Sequence, residues 1–313
     1  MGRYLARRIA FALFLVFAVS SASLLLARLA PGDAAANGPD MKVWLQRRHE
    51  LGLDKSIAAQ YRDWLVAAAR FDLGQSLKYE RPVRDLIPER AGNTAILAGA
   101  ALLFATVIGL PLGIIAGSRH GGLLPTAIRA ASLVFLSMPP LLTSLFLLFV
   151  AARTGWFPIA GMRSTTASGG GATIDLLYHL ILPAAAVGLP LAAMLERLQA
   201  QAIGEAVRQP FVMATIARGV PHSRVVWRDA LKASLRPVAS VYGLIIGTLL
   251  SGSFAVEVIM AWPGLASLML DALVSRDVFL VAGCAGAGAV FLAFGTLLSD
   301  LALAAVDPRV RES

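Results

Sequence analysis

Six long stretches of this chain contain no charged residue. They run Ile9–Ala27, Ala91–Ser118, Ala130–Ala152, Leu176–Leu195, Pro237–Val256 and Val278–Ser299, each 19 to 28 residues long. About 20 helical residues cross a hydrocarbon core. The runs are continuous and do not alternate between apolar and polar, which predicts helices and excludes barrel strands. With 57% hydrophobic and 15% charged residues, a soluble domain could not cover its surface with polar groups. The fold class expected is all-α integral membrane, with six transmembrane helices.

Lys and Arg set the orientation. With the N-terminus inside, the inner segments carry Arg3, Arg7, Arg8, Arg119, Arg129, seven residues from Arg197 to Arg236, Arg309 and Arg311, fourteen in all. The two short outer loops carry three, Arg153, Arg163 and Arg276. The rule that positive charge stays inside then places both termini in the cytoplasm. The other eleven lie between Arg28 and Arg90, offset by nine acids, and a segment that long is translocated largely regardless of charge. The net charge of +9 is therefore mostly topology. No basic patch is interleaved with aromatics, so nucleic acid is not an expected partner, whereas membrane lipid is. The first apolar run is long for a signal peptide and Arg28-Leu29-Ala30 is a poor cleavage site, so a retained helix is expected. Ala6 rules out a myristoylation signal.

Four segments follow: a first span over 1–30, an outer segment 31–93, a core 94–303 with a polar inner loop at 196–237, and a tail 304–313. The outer segment holds Trp44, Leu51, Leu53, Tyr61, Trp64, Leu65, Phe71 and Leu73 at mostly helical spacing, which predicts a small helical cap. The tract Ser164–Gly171 reads as a flexible insert. One cysteine, Cys284, permits no disulfide or cysteine-based metal site within the chain.

The inner loop invites a local reading. Glu205–Arg218 predicts one helix, ended by a left-handed Gly219 and kept from continuing by Pro221. Ser223 is placed to cap a second helix, Arg224–Leu235. Phe211, Val212, Ile216 and Val220 then form an apolar knob ringed by Arg218, Arg224 and Arg228. An ordinary basic loop that only holds topology is the alternative on composition alone. In the third run, Ser137-Met138-Pro139-Pro140 interrupts the helix, because neither proline has a donor N–H; freed carbonyls and Ser137 would face a water-filled path. In the fifth, Gly243, Gly247, Thr248, Ser251, Gly252 and Ser253 make a small, mildly polar face, read equally as pore lining or as close helix packing. Trp262-Pro263-Gly264 marks an outer gate or protein contact, or a simple turn with an interfacial Trp.

No G-x-x-x-x-G-K-[ST] phosphate loop occurs, so no nucleotide site of that kind is expected. No catalytic constellation or metal cluster is expected either. His179, beside Asp175 and Tyr178, reads as a satisfied interfacial residue. Glu196, Glu257 and Asp300 lie at the ends of the apolar runs. A proton- or sodium-coupled carrier normally keeps ionisable groups deeper than that.

The ordered motifs resemble a family. They are Arg3-Tyr4 with Arg7-Arg8, Leu29-Ala30-Pro31-Gly32-Asp33, Leu51-Gly52-Leu53-Asp54, Tyr61, Asp72-Leu73-Gly74-Gln75-Ser76 and Arg81-Pro82-Val83. Ser137-Met138-Pro139, Trp156-Phe157-Pro158, Leu182-Pro183, Trp262-Pro263-Gly264-Leu265 and Asp307-Pro308-Arg309 complete the series. The chain resembles permease subunits of bacterial ABC importers of the dipeptide, oligopeptide and nickel family, over nearly its whole length. The resemblance implies the type I importer permease fold, with a periplasmic cap between helices 1 and 2, in the inner membrane. It implies half of a translocation pore, completed by a second permease, two ABC ATPase subunits that bind ATP and Mg, and a periplasmic binding protein that delivers a peptide-like or small solute. It makes 196–237 the ATPase-coupling loop, with Phe211, Ala214, Ala217, Arg218, Gly219, Val220, Pro221, Arg224 and Arg228 as its candidate residues. Ser137, Met138, Pro139, Gly243, Gly247, Ser251, Gly252 and Ser253 would line the path, and Trp262, Pro263 and Gly264 the outer gate. The chain departs from the family at Thr215-Ile216, where Ala-Arg is usual, and at Arg218, where Lys is. The alternatives are an ATP-independent transporter or channel, and a membrane-anchored assembly or sensor protein.

Overall fold

The computed structural model describes residues 2–29, 49, 54–119, 121–164 and 171–306. Apart from one isolated antiparallel bridge, Gln75 to Pro82, every regular element among them is helical. In chain order these are α1 Gly2–Leu29, α2 Ile57–Ala68, α3 Val83–Ser118, α4 Leu123–Ser137, α5 Pro140–Thr154 and α6 Ala172–Val207. Then come α7 Pro210–Ala217 and α8 His222–Arg224, which passes through a π-helical turn, Val225–Ala230, into α9 Leu231–Ala239. The chain continues with α10 Tyr242–Ile259, α11 Leu265–Val274 and α12 Val278–Val306.

Four described helices are long and apolar enough to cross a membrane: Ala6–Leu29, Val83–Ser118, Ala172–Val207 and Val278–Leu298. The third predicted span is not one straight helix. It is α4 and α5, bent by 108°, and counts as a fifth crossing only if the pair is taken together. The cause is local: Pro139 is the extended N-cap of α5 and Pro140 its first residue, a place where a missing N–H costs nothing. Met138 ends α4 in an extended conformation, which the following proline favours. The fifth predicted run, Pro237–Val256, begins inside α9, passes the turn at Ser240 and Val241, and continues into the 18-residue α10. The expected boundary at residue 93 falls inside α3, and the expected loop limits 196 and 237 fall inside α6 and α9.

The chain forms two compact units. In the unit made of residues 1–94 and 263–293, Leu24 and Trp64 pack on Val278 and Ala282. Tyr61 stacks on Trp64 at 6.2 Å and donates to Ser21 Oγ at 3.0 Å. Trp44, Leu51 and Leu53 lie outside the described residues, and Phe71 does not join this core: it is 85% exposed with φ +59°. Asp277, fully buried, accepts from Ser76 Oγ at 2.6 Å, Leu77 N at 2.6 Å and Lys78 N at 3.2 Å. Its other oxygen accepts from Leu280 N, so one carboxylate caps α12 and holds the turn before α3.

The second unit, residues 95–262 and 294–313, is built around α6. Gly109, Gly113 and Gly117 of α3 lie one turn apart and face it. A Cβ at Gly109 would sit 2.6 Å from Ala192 O, and one at Gly113 2.6 Å from Glu196 O. Close backbone approach through small residues is how apolar helices pack where water supplies no driving force. A larger cluster joins Ala101, Ala105, Leu182, Ala186, Leu195, Ile245 and Val256.

Candidate functional site

The segment between α6 and α10 is shaped by its prolines and one glycine. The helix predicted over Glu205–Arg218 is in fact two. Gln209 is extended at φ −67°, ψ 144°, and Pro210 opens α7; proline pushes its predecessor out of the α region and then suits a helix's first turn. α7 lasts eight residues. Gly219 follows at φ +86°, and a Cβ there would meet nothing within 4 Å. Glycine is therefore required by the backbone conformation alone, not by space. Pro221, not Ser223, is the N-cap of α8, and Ser223 is an exposed residue within it.

Val212 holds this segment down. It was expected on the outward knob, yet it is fully buried, packed with Ile203, Ala206 and Val207 of α6 and with Val225, Val226 and Ala230. Burying a valine stabilises by about 1.5–3 kcal/mol. Ile216 and Val220 pack partly against the same cluster. Phe211 remains outward, 48% exposed, and Ala214 and Ala217 are exposed beside it. Arg218 lies back along α7, donating to Ala214 O and Thr215 Oγ1, both at 3.3 Å.

The surface these residues form is concave. A groove of about 1010 Å³ is lined by Phe211, Ala214, Thr215, Arg218, Val220, Arg224, Arg228, Asp229, Lys232, Ala233 and Arg236. Of the nine coupling candidates, Phe211, Ala214, Arg218, Val220, Arg224 and Arg228 meet there; Ala217, Gly219 and Pro221 shape the turn and do not line it. Sequence reasoning missed Lys232 and Arg236. The signal was present as cations at 224, 228, 232 and 236, a strict four-residue repeat.

The path and gate candidates lie on other elements, and the described part of the α10 face meets the α4–α5 break. Ser137 is exposed and its hydroxyl donates a hydrogen bond to Leu133 O, one turn back in α4, at 2.8 Å. The Pro139 carbonyl accepts from Thr143 N and Oγ1. Met138 is half-buried at the break. On α10, a Cβ at Gly252 would lie 3.5 Å from Pro140, and Ser253 is buried, so this part of the face packs on α5. The surroundings of Gly243, Gly247 and Ser251 lie outside the described residues. Trp262 is fully buried with Leu97, Leu180 and Ala184, not a lipid-facing anchor. Pro263 accepts from Asn93 Nδ2 at 2.8 Å, and Gly264 is the extended N-cap of α11.

Several polar groups are buried inside the second unit. His179 is buried and its Nδ1 lies 2.9 Å from Asp175 O, the satisfied histidine expected. Glu196 is also buried, one turn from Gln199, whose Nε2 donates to Ser234 Oγ of α9 at 2.8 Å. No group of three or more His, Cys, Asp or Glu positioned for a metal occurs among the described residues.

Residues 109–312 match the family described as "Binding-protein-dependent transport system inner membrane component". The chain belongs to this family. The match spans every candidate residue above. Along the whole chain, it is 32% identical to the oligopeptide transport system permease protein OppB of Mycobacterium bovis, covering 100% of both chains. It is 29% identical to the oligopeptide transport system permease protein AppB of Bacillus subtilis and to the dipeptide transport system permease protein DppB of Escherichia coli K12, covering 99% of each pair. In three dimensions it resembles a chain of the MetNI methionine ABC transporter, crystallised in inward-facing conformations. That likeness has a TM-score of 0.50 and 18% identity, and covers 72% of this chain and 95% of that one. The protein is thus a membrane permease component of a binding-protein-dependent transport system, with the importer permease fold.

Proposed function

We propose that this permease forms half of a translocation pore for peptides. A related second permease completes the pore, a soluble binding protein delivers the peptide from outside, and two ATPase subunits dock on α7–α9 inside. The substrate class follows the relatives named as oligopeptide and dipeptide permeases. ATP and Mg belong to the ATPases, since no phosphate-cradling loop occurs in this sequence. Nucleotide that binds the two conformations of the assembly with different affinity shifts the pore between inward- and outward-open forms.

The observation that carries the reading is the build of α7. Val212 anchors it to α6 from below, Phe211 is presented outward, and Gly219 turns the chain back. A short helix fixed at its base and open at its top transmits a push. Gly219→Asp tests it. A non-glycine residue at this φ costs roughly 1–2 kcal/mol, and a carboxylate at the end of α7 opposes the helix dipole by roughly 0.3–1 kcal/mol. The variant is expected to insert and to pair with the second permease, while retention of ATPase on the tagged permease and uptake into reconstituted vesicles both fall. Normal uptake by a stably expressed Gly219→Asp protein removes α7 as the coupling element.

A further inference from the structure

We infer that the groove beside α7 receives an acidic, amphipathic protein segment, and that this segment belongs to the docking ATPase; the inference rests on the coupling role proposed for α7. Arg224, Arg228, Lys232 and Arg236 are all exposed and line one groove, with Arg218 as a fifth cation. Four-residue spacing does not by itself make a stripe. In an α-helix it drifts by about 40° per step, about 120° over the three steps here. The π-helical turn Val225–Ala230 has more residues per turn and rotates the repeat the other way. The π turn thus keeps all four cations in register.

The opposite face shows the same register. Val226, Ala230, Ser234 and Val238 are offset by two residues and are 3%, 0%, 1% and 1% exposed. One face is fixed in the protein, and the other is held open and positive. Like charges one turn apart repel, and Asp229 is the one acid among the lining residues. The groove also has apolar walls, Phe211, Ala214, Val220 and Ala233. A lipid headgroup, with one or two phosphates, would engage one or two of these cations. A run of carboxylates on an amphipathic segment matches five cations and the apolar walls together.

The experiment measures retention of ATPase subunits on the tagged permease pair, in nanodiscs of neutral phosphatidylcholine, as salt rises from about 0.05 to about 0.5 M. The wild-type apparent Kd is expected to rise about tenfold or more across that range. The double variant Arg228→Gln, Lys232→Gln is expected to bind about tenfold more weakly at low salt and to show a flatter salt dependence. The charge-keeping variant Arg228→Lys, Lys232→Arg, which controls for folding, is expected to follow the wild type. A flat wild-type profile, or a neutral variant with the wild-type slope, overturns the inference; α7 remains the coupling element as long as Gly219→Asp still lowers retention. Salt-sensitive retention confined to nanodiscs of phosphatidylglycerol makes lipid the occupant and overturns it as well. No retention by the wild type at any salt overturns both readings.

Discussion

Tyr79 donates to Asp271 Oδ2 at 2.8 Å, and Lys78 Nζ lies 2.9 Å from Oδ1. Burial, and then the bond to the carboxylate, push the Tyr79 hydroxyl up to about 12. Burial pushes Asp271 the other way from its partners, but the bonds from Lys78 and Tyr79 outweigh it and hold the carboxyl below its ordinary range. The signs follow from linkage. A raised tyrosine contributes stability that is complete below its unfolded value of about 10 and is lost as pH rises through the folded value. A lowered aspartate contributes stability above its unfolded value of about 4, lost as pH falls; at 48% side-chain exposure, solvent keeps that contribution small. Tyr79→Phe is therefore expected to cost about 1 kcal/mol at neutral pH and to flatten the alkaline fall in stability. Thermal unfolding of the detergent-solubilised protein, followed between neutral pH and about pH 12, reads both effects. None of this was legible in the sequence, because the two partners are 192 positions apart. The demands of single backbones were legible: Pro139 and Gly219 announced a break and a positive φ without any knowledge of neighbours.

α3 carries glycines with opposite roles. Gly109 and Gly113 leave no room for a Cβ against α6, whereas a Cβ at Gly99 would meet nothing within 4 Å. Gly113→Ala is expected to force the helices apart and cost about 1–3 kcal/mol. Gly99→Ala relieves backbone entropy with no clash, and is expected to gain about 0.5–1 kcal/mol. Thermal stability of the two variants in the same detergent should move in opposite directions; equal shifts would show that α3 does not pack through this stripe. The four-residue glycine spacing stands in the sequence, but its neighbour does not, since any apolar helix could have faced it. The same limit explains the region after α6. Composition placed a polar, basic segment there correctly. The split at Gln209 and the burial of Val212 depended on how α7 folds back onto α6, and the π turn depended on matching two faces of one helix, neither of which a pattern of residue types specifies.

For the whole molecule, sequence carries most where its signals are long. Continuous apolar runs fixed the helical membrane class, and the ordered motifs led to the family that the matched residues 109–312 show. The direction expected for the chain across the bilayer rests on charge: in the six-span reading, fourteen Lys and Arg fall in the segments expected inside against three in the short loops expected outside, once the segment from Arg28 to Arg90 is set aside. Two exposed positions on opposite sides of that scheme test it. Ala58 lies in α2, in the segment expected outside, and Ser223 lies in α8, in the segment expected inside; both are exposed to solvent. The single native cysteine, Cys284, is buried at 2% exposure, and its replacement by serine removes the background. In intact cells, a thiol reagent that cannot cross the membrane is expected to label Ala58→Cys and to leave Ser223→Cys unlabelled until the membrane is opened. The two residues cannot share a side if α7–α9 is to meet an ATPase inside while α2 belongs to the segment expected outside. Labelling of Ser223→Cys in intact cells would place the basic groove outside, where no ATP-driven partner could reach it, and the proposed coupling would fall with the topology.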